Sequence, residues 1–107
     1  MTEGSAAPSI ANARALLLHA DDNVATALCA LDAGERVTVQ GADAAAAPVA
    51  LREPIALCHK FALRAIAQGE VVVKYGESIG RATRAIAAGD HVHTHNLHSA
   101  RALVVPG

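Results

Sequence analysis

Short apolar runs alternate with polar or glycine-containing segments along the chain, and this pattern predicts short strands. The strands are predicted at residues 15–19, 36–40, 49–52, 71–75 and 90–95. Residues 1–12 mix glycine, serine, proline and alanine without periodicity, which is typical of a flexible N-terminal tail. The segment from Gly41 to Pro48, with four consecutive alanines before the proline, is expected to be a hairpin loop.

One pattern recurs three times: a leucine or isoleucine stands three residues before a glycine and six residues before a valine. It occurs at residues 31–37, 66–72 and 86–92, and its glycines are Gly34, Gly69 and Gly89. Because glycine accepts the left-handed conformation that ends a helix, each copy predicts a short helix that turns at once into a strand. Asp22 or Asn23 is expected to cap the first helix and Ser78 the third. The uneven spacing of the copies favours one compact domain over a solenoid.

The composition limits the core that this domain can build. Of 107 residues 52% are apolar, yet the chain has one Phe, one Tyr and no Trp. The length fits a single domain, whose core must consist of Val, Ile, Leu and Ala. Such a core is thin, so burial against a partner, or homo-oligomerisation of the isolated chain, would add stability. We therefore expect a single compact domain, mainly β with short helices.

The charge distribution excludes several classes of partner. Nine basic and ten acidic residues give a net charge of −1, and no segment concentrates lysine or arginine, so no nucleic-acid partner is expected. The chain has no apolar stretch that could cross a bilayer and no basic leader, which favours a cytoplasmic protein without a membrane partner. Cys29 and Cys58 are then expected to be buried, reduced thiols. Neither a nucleotide-binding glycine loop nor a serine-hydrolase elbow is present.

Four of the six histidines fall within eight residues: His91, His93, His95 and His98. Alternate residues of a strand share a face, so two imidazoles of a His-x-His pair can converge on one metal ion. On a straight strand His91 would lie about 13 Å from His95, so one adjacent pair is expected to act with a ligand from elsewhere. We prefer His93 and His95, because Asn96 follows them. A solvated, histidine-rich strand edge is the alternative.

Two lysines stand where they could meet an anionic ligand. His59 and Lys60 precede the second predicted helix, whose N-terminus would favour an anion. Lys74 ends a valine-rich strand and could reach the same kind of ligand. Asn96 could orient a hydroxyl or a carboxylate. The structural alternatives are an exposed Lys60, a Lys74 whose stem covers the strand edge, and an Asn96 that forms a turn.

Four blocks of this sequence together resemble the SAF domain of the altronate and galactarate dehydratase family. The blocks are His19–Leu28, Cys58–Leu63, Lys74–Gly80 and Gly89–Asn96, and their order and spacing match over residues 15–98. The resemblance implies a β-clip fold for a SAF domain at residues 13–107. A copy without the large catalytic domain is similar to the small α subunit of (2R)-sulfolactate sulfo-lyase. Cys58 departs from the family, which commonly has glycine before His-Lys.

The resemblance implies a lyase, either a hydro-lyase or a sulfo-lyase, in which this chain is the small subunit beside a separate large catalytic subunit. The implied reaction is metal-assisted β-elimination from a 2-hydroxy acid, with Fe²⁺ or another divalent ion as cofactor. The implied roles are catalysis for His59 and Lys60, substrate binding for Lys74 and Asn96, and metal binding for His93 and His95. The rival hypothesis is a non-catalytic SAF module that binds a sugar acid or carbohydrate without metal or partner.

Overall fold

A computed structural model of the chain describes residues 14–41 and 48–99. These two segments form short strands and turns and contain no helix, so they hold no helix that could span a membrane. The strands are β1 Ala15–Leu17, β2 Val24–Ala27, β3 Arg36–Val37, β4 Gln40–Gly41, β5 Val49–Ala50, β6 Lys60–Ala62, β7 Val71–Lys74, β8 Glu77–Ala82, β9 His91–Val92 and β10 Leu97–Ser99. The expected tail at residues 1–12 and residues 42–47 of the expected loop lie outside the described residues.

The strands form three small sheets. The largest has the order β4-β1-β2-β6-β9, the second has the order β10-β8-β7, and the third pairs β3 with β5. All pairings are antiparallel except that of β1 with β4. Because β6 lies between β2 and β9, residues from the middle of the sequence are placed directly beside the histidine-rich segment that follows β9.

The predicted strands are confirmed as strand regions, although each is shorter than expected. The predicted residues 15–19, 36–40, 49–52, 71–75 and 90–95 contain β1, β3, β5, β7 and β9. The expectation of a mainly β single domain is also confirmed. Its apolar side chains pack in two clusters, one around Phe61 and Leu31 and the other around Ile66 and Val72.

The three predicted helices are wrong. Where the first was expected to begin, Val24–Ala27 forms β2, whose Val24 pairs with Ala62 and whose Thr26 pairs with Lys60. Alanine is the best helix former, but its advantage over most residues is less than about 1 kcal/mol, and a helix of a few residues carries a high nucleation cost. Pairing on both edges, with β1 and β6, satisfies the backbone of this segment and outweighs that preference.

Each copy of the repeated pattern is instead a bridge residue followed by a tight turn. Leu31 exchanges two backbone hydrogen bonds of 2.9 Å with Ile55, and Ile66 exchanges two of 2.8 Å with Ile86. In each four-residue turn, the N–H of the fourth residue donates a hydrogen bond to the carbonyl of the first. The third residue is the glycine, and φ is 88°, 84° and 89° at Gly34, Gly69 and Gly89. These values are those of a type II turn, which explains the glycines without a helix. Their predicted left-handed conformation is confirmed.

Ile55 reveals a fourth copy that the sequence pattern misses. It is followed by the turn Ala56–His59, in which the N–H of His59 donates to the carbonyl of Ala56 at 3.0 Å. Cys58 stands at the glycine position of this turn with φ of 71°. His59 accordingly stands where the other three turns have Glu35, Glu70 and Asp90.

Asp22 and Asn23 do not cap a helix but attach the β7–β8 hairpin to the loop before β2. The carboxylate of Asp22 accepts hydrogen bonds from the N–H groups of Tyr75 and Gly76, at 2.9 and 2.8 Å. The side chain of Asn23 accepts from the N–H of Val73 and donates to the carbonyl of Val71. Ser78 lies in β8 and likewise caps no helix. These hydrogen bonds hold the β7–β8 hairpin, which carries Lys74, at the start of β2, and β2 pairs with the strand that contains Lys60.

Candidate functional site

The antiparallel register of β6 and β9 brings His59 next to the histidine-rich segment. Lys60 pairs with Val92, so the residue before Lys60 and the residue after Val92 are neighbours. These residues are His59 and His93, whose ring centroids lie 4.6 Å apart. The expectation that His59 lies at the N-terminus of a helix is therefore wrong. Its position follows from the pairing of β6 with β9.

The segment after β9 turns back on itself instead of continuing as a strand. Asn96, 4% exposed, accepts a hydrogen bond from the N–H of His93 at 3.0 Å and donates one to the carbonyl of His91 at 2.8 Å. Its own N–H donates to the carbonyl of His93 at 3.1 Å. The straight-strand separation of about 13 Å between His91 and His95 therefore does not apply, and their ring centroids lie 5.4 Å apart.

Three imidazoles form a compact cluster at this turn. One ring nitrogen from each of His59, His91 and His93 lies within 4.8 Å of the other two, and all three residues are half-buried. The Nδ1 atom of His59 is 2.8 Å from the Nε2 atom of His91. The rings are nearly parallel, with interplanar angles between 11° and 23°. A set of three neutral imidazoles suits a divalent transition-metal ion.

The structure groups the predicted metal-ligand residues differently from the sequence. His93 belongs to the cluster, whereas His95 contributes only a tilted ring against His91 and is exposed. Sequence reasoning gave His91 no ligand role, because the position of the turn at Asn96 was not visible in the spacing. His98 lies exposed in β10.

Both lysines of the chain line one groove of about 380 Å³ beside the cluster. Lys60 enters it from β6 and Lys74 from the end of β7, while His93 forms part of the same wall. Glu77, which pairs with Lys74 across the hairpin, also lines the groove. The sequence-predicted Lys60, Lys74 and His93 are thus brought together, whereas the side chain of Asn96 is used to hold the turn.

The electrostatics of the site favour neutral rings at His91 and His93, beside a groove that holds two lysines and Glu77. Burial, and to a smaller extent the charge of Lys74, lowers the pKa of Lys60. Burial and then the neighbouring His59 lower the pKa of His91, against an opposing effect of Glu53, whose carboxylate accepts the N–H of His91 at 2.9 Å. Burial, followed by His59 and Lys60, also lowers the pKa of His93. Protonation of these two rings is therefore disfavoured.

The two cysteines differ from the expectation of buried thiols. Both are free, but Cys29 is only half-buried and Cys58 is exposed. The exposure of Cys58 follows from its place in a surface turn, where it leads directly into His59.

Comparison with known proteins gives a match over most of the chain. A family model described as the altronate/galactarate dehydratase SAF domain matches residues 13–100. Altronate dehydratase of Escherichia coli (strain K12) is 51% identical over 82 residues, which are 77% of this chain and 16% of that protein. Altronate dehydratase of Bacillus subtilis (strain 168) is 37% identical over 79 residues, 74% of this chain and 15% of that protein.

A second kind of relative is much shorter. The (2R)-sulfolactate sulfo-lyase subunit alpha of Paracoccus pantotrophus is 45% identical over 47 residues, which are 44% of this chain and 70% of that protein. The matched region therefore covers a small part of the altronate dehydratases and most of this sulfo-lyase subunit.

Proposed function

The chain belongs to the altronate/galactarate dehydratase SAF domain family, and we propose that it is the small subunit of a lyase that acts on a 2-hydroxy acid together with a separate large subunit. The bond broken is carbon–oxygen in a dehydratase and carbon–sulfur in a sulfo-lyase. The names of the relatives support both chemistries. The designation of one relative as subunit alpha supports a second chain as partner.

The observation that carries the proposal is the groove that holds both lysines of the chain beside an imidazole cluster. A volume of about 380 Å³ lies within the range of small-molecule sites. Glu77 in the same groove offsets one of the two ammonium charges, which leaves one positive charge for a carboxylate, and His93 stands at the same wall. These features fit a small sugar acid or hydroxy acid.

The proposed reaction is a β-elimination. A base removes the proton at C2, the C–H electron pair forms the C2=C3 double bond, and the group on C3 departs as water, after taking up a proton, or as sulfite. The difficult step is the removal of the proton from C2, because negative charge then develops on the carboxylate. Lys60 and Lys74 would oppose that charge, and His59 would hold or accept a proton. A bound divalent ion, such as Fe²⁺, would supply additional neutralisation of the same charge.

Two further features complete the proposal. We further propose that the three sheets form a β-clip, the fold that family membership implies, and that Asn96 supports the site from behind rather than binding substrate directly. The subunit works in the cytoplasm, where Cys29 and Cys58 would stay reduced.

The test is turnover by this chain with and without a large dehydratase-like subunit from the same organism. The isolated chain should be inactive, and the co-expressed pair should eliminate water from an aldonate or aldarate, or sulfite from sulfolactate. In the active pair, Lys60→Ala and Lys74→Ala should raise KM, whereas Arg36→Ala, which removes an exposed cation of β3, should not.

Different outcomes of this experiment separate the competing functions. Turnover by the isolated chain would contradict the need for a large subunit. Binding of a sugar acid by the isolated chain, without metal and without turnover in any pair, would identify a non-catalytic binding module instead.

A further inference from the structure

We infer that His59, His91 and His93 together bind one divalent transition-metal ion, and that His95 and His98 are not among its ligands. The inference deepens the proposed function, on which only the catalytic use of the ion rests, and it assigns His59 to the ion in place of proton transfer. Metal binding by the chain itself follows from the geometry of three residues and can be measured without any lyase activity.

The spacing of the ring nitrogens suits a single ion. Two nitrogens that bind a tetrahedral ion at about 2.0–2.1 Å lie roughly 3.3 Å apart. Nδ1 of His59 and Nε2 of His91 are 2.8 Å apart, and the three ligand nitrogens all lie within 4.8 Å of one another. The 2.8 Å contact is a hydrogen bond between the two rings, so the ion would take the place of the proton that they share. Binding then requires the nearly parallel rings to tilt until their lone pairs converge, which is a side-chain adjustment.

The backbone around the cluster is fixed independently on both sides. On one side, the turn with Cys58 at φ of 71° delivers His59 into the position where three equivalent turns carry a carboxylate. On the other side, Asn96 holds both His91 and His93 by side-chain hydrogen bonds, and Glu53 accepts the N–H of His91. Within the described part of the chain, the cluster consists of these three imidazoles.

The ligand type identifies the class of ion. Imidazole nitrogens bind Zn²⁺, Fe²⁺, Co²⁺ and their neighbours, whereas Mg²⁺ and Ca²⁺ prefer oxygen ligands. Three protein ligands also leave a position for water or for an organic ligand. His93 is shared between the cluster and the groove wall, so a ligand held by Lys60 and Lys74 would lie on the same side of the molecule.

The neighbouring histidines provide internal controls. His95 approaches His91 with a centroid distance of 5.4 Å but is not part of the group whose nitrogens converge. His98 lies in β10, where it pairs with Arg81 across the sheet. Sequence proximity alone would make the four histidines between His91 and His98 equivalent, whereas the structure separates them and adds His59 from a distant segment.

The experiment is a titration of the full chain with Co²⁺, followed by visible absorption, and with Zn²⁺, followed by calorimetry. One ion should bind per chain, and Mg²⁺ should not compete. Loss of a residue that only hydrogen-bonds to a metal ligand weakens metal binding by about 10- to 100-fold. Loss of a ligand itself should weaken it more, in each of His59→Ala, His91→Ala and His93→Ala. His95→Ala and His98→Ala should leave the affinity unchanged. Circular dichroism checks folding, and His→Asn replaces any alanine variant that fails to fold.

Two results would overturn the inference. One is the absence of Co²⁺ binding to the wild-type chain, and the other is a loss in His95→Ala as large as that in His59→Ala, which would indicate a general histidine-rich surface. Metal binding by the chain without turnover in any subunit pair would contradict the lyase proposal alone. Turnover in a pair that is insensitive to His59→Ala would leave lyase activity standing and remove the ion from its mechanism.

Discussion

The imidazole of His59 occupies the place in its turn that the carboxylate of Glu70 occupies in an equivalent turn. Glu70 uses that place to accept the N–H of Ala67 at 2.9 Å and to bind the guanidinium of Arg64 at 2.7 Å. His59 directs its Nδ1 to His91 instead. One backbone turn thus serves two purposes, and at the fourth copy a side chain that elsewhere stabilises the turn is available for the site.

The glycines of the three other turns should differ in how badly they tolerate a side chain. Gly34→Ala and Gly69→Ala should each lower the free energy of unfolding by about 1 kcal/mol, because a Cβ atom is disfavoured at positive φ but would meet nothing within 4 Å. Gly89→Ala should cost more, because its Cβ would collide with the carbonyl oxygen of Ala50. Valine at each position should cost more than about 1 kcal/mol. Urea denaturation measures the order, and equal losses at all three glycines would contradict the collision.

Cys58→Gly should stabilise the protein or leave its stability unchanged. Cysteine at φ of 71° has a left-handed backbone that costs about 1–2 kcal/mol, while glycine loses about 0.5–1 kcal/mol more conformational entropy on folding. The expected change in the free energy of unfolding therefore lies between zero and a gain of about 1.5 kcal/mol. Cys58→Ala is the matched control, since it removes the thiol and keeps the Cβ atom. A marked loss of stability in Cys58→Gly alone would show that this turn does not need a glycine-like backbone.

Glu70 should make stability depend on pH in the acidic range. Its hydrogen bond from Arg64, and then that from the N–H of Ala67, lowers the pKa of Glu70. Because the folded pKa lies below the unfolded value of about 4.3, the contribution is present above that pH and is lost as the pH falls through the folded pKa. Glu70→Gln should therefore lower the melting temperature at neutral pH and match the wild type in acid. The effect on the melting temperature is small, because the Glu70 carboxylate is accessible to solvent. A difference in melting temperature between Glu70→Gln and the wild type that persists in acid would show that the ionised carboxylate is not its cause.

The sequence was informative where one residue type decides the local structure. Short apolar runs located five strands, and the glycine pattern located three turns with positive φ. It failed where pairing between distant segments decides: alanine-rich β2 is a strand because β1 and β6 flank it. The fourth turn was missed because Cys58 replaces the glycine of the pattern. The histidine cluster depends on His59, which follows this turn, and on the bend after Val92. Spacing along the chain therefore could not predict which histidines belong to it.

Asn96 should act as a positioning residue for the histidine cluster. It is buried and hydrogen-bonds the backbone of both His91 and His93, so its loss should free the turn that sets the distance between their rings. Asn96→Ala should weaken Co²⁺ binding by about 10- to 100-fold, the range for residues that orient metal ligands. It should also lower the free energy of unfolding by about 1–3 kcal/mol, because buried backbone groups lose their partners.

Asn96→Asp separates positioning from stability. An aspartate keeps the acceptor for the N–H of His93, but its second oxygen would be repelled by the carbonyl of His91, so it should lower stability about as much as Asn96→Ala does. Because it keeps one hydrogen bond and its negative charge attracts the ion, it should bind Co²⁺ more tightly than Asn96→Ala. The visible spectrum of bound Co²⁺ adds a readout that a purely structural role would not change, since displaced imidazoles alter the ligand geometry. If Asn96→Ala loses stability but binds Co²⁺ with wild-type affinity and spectrum, Asn96 does not position the ligands, because the histidine cluster would then assemble without its side chain.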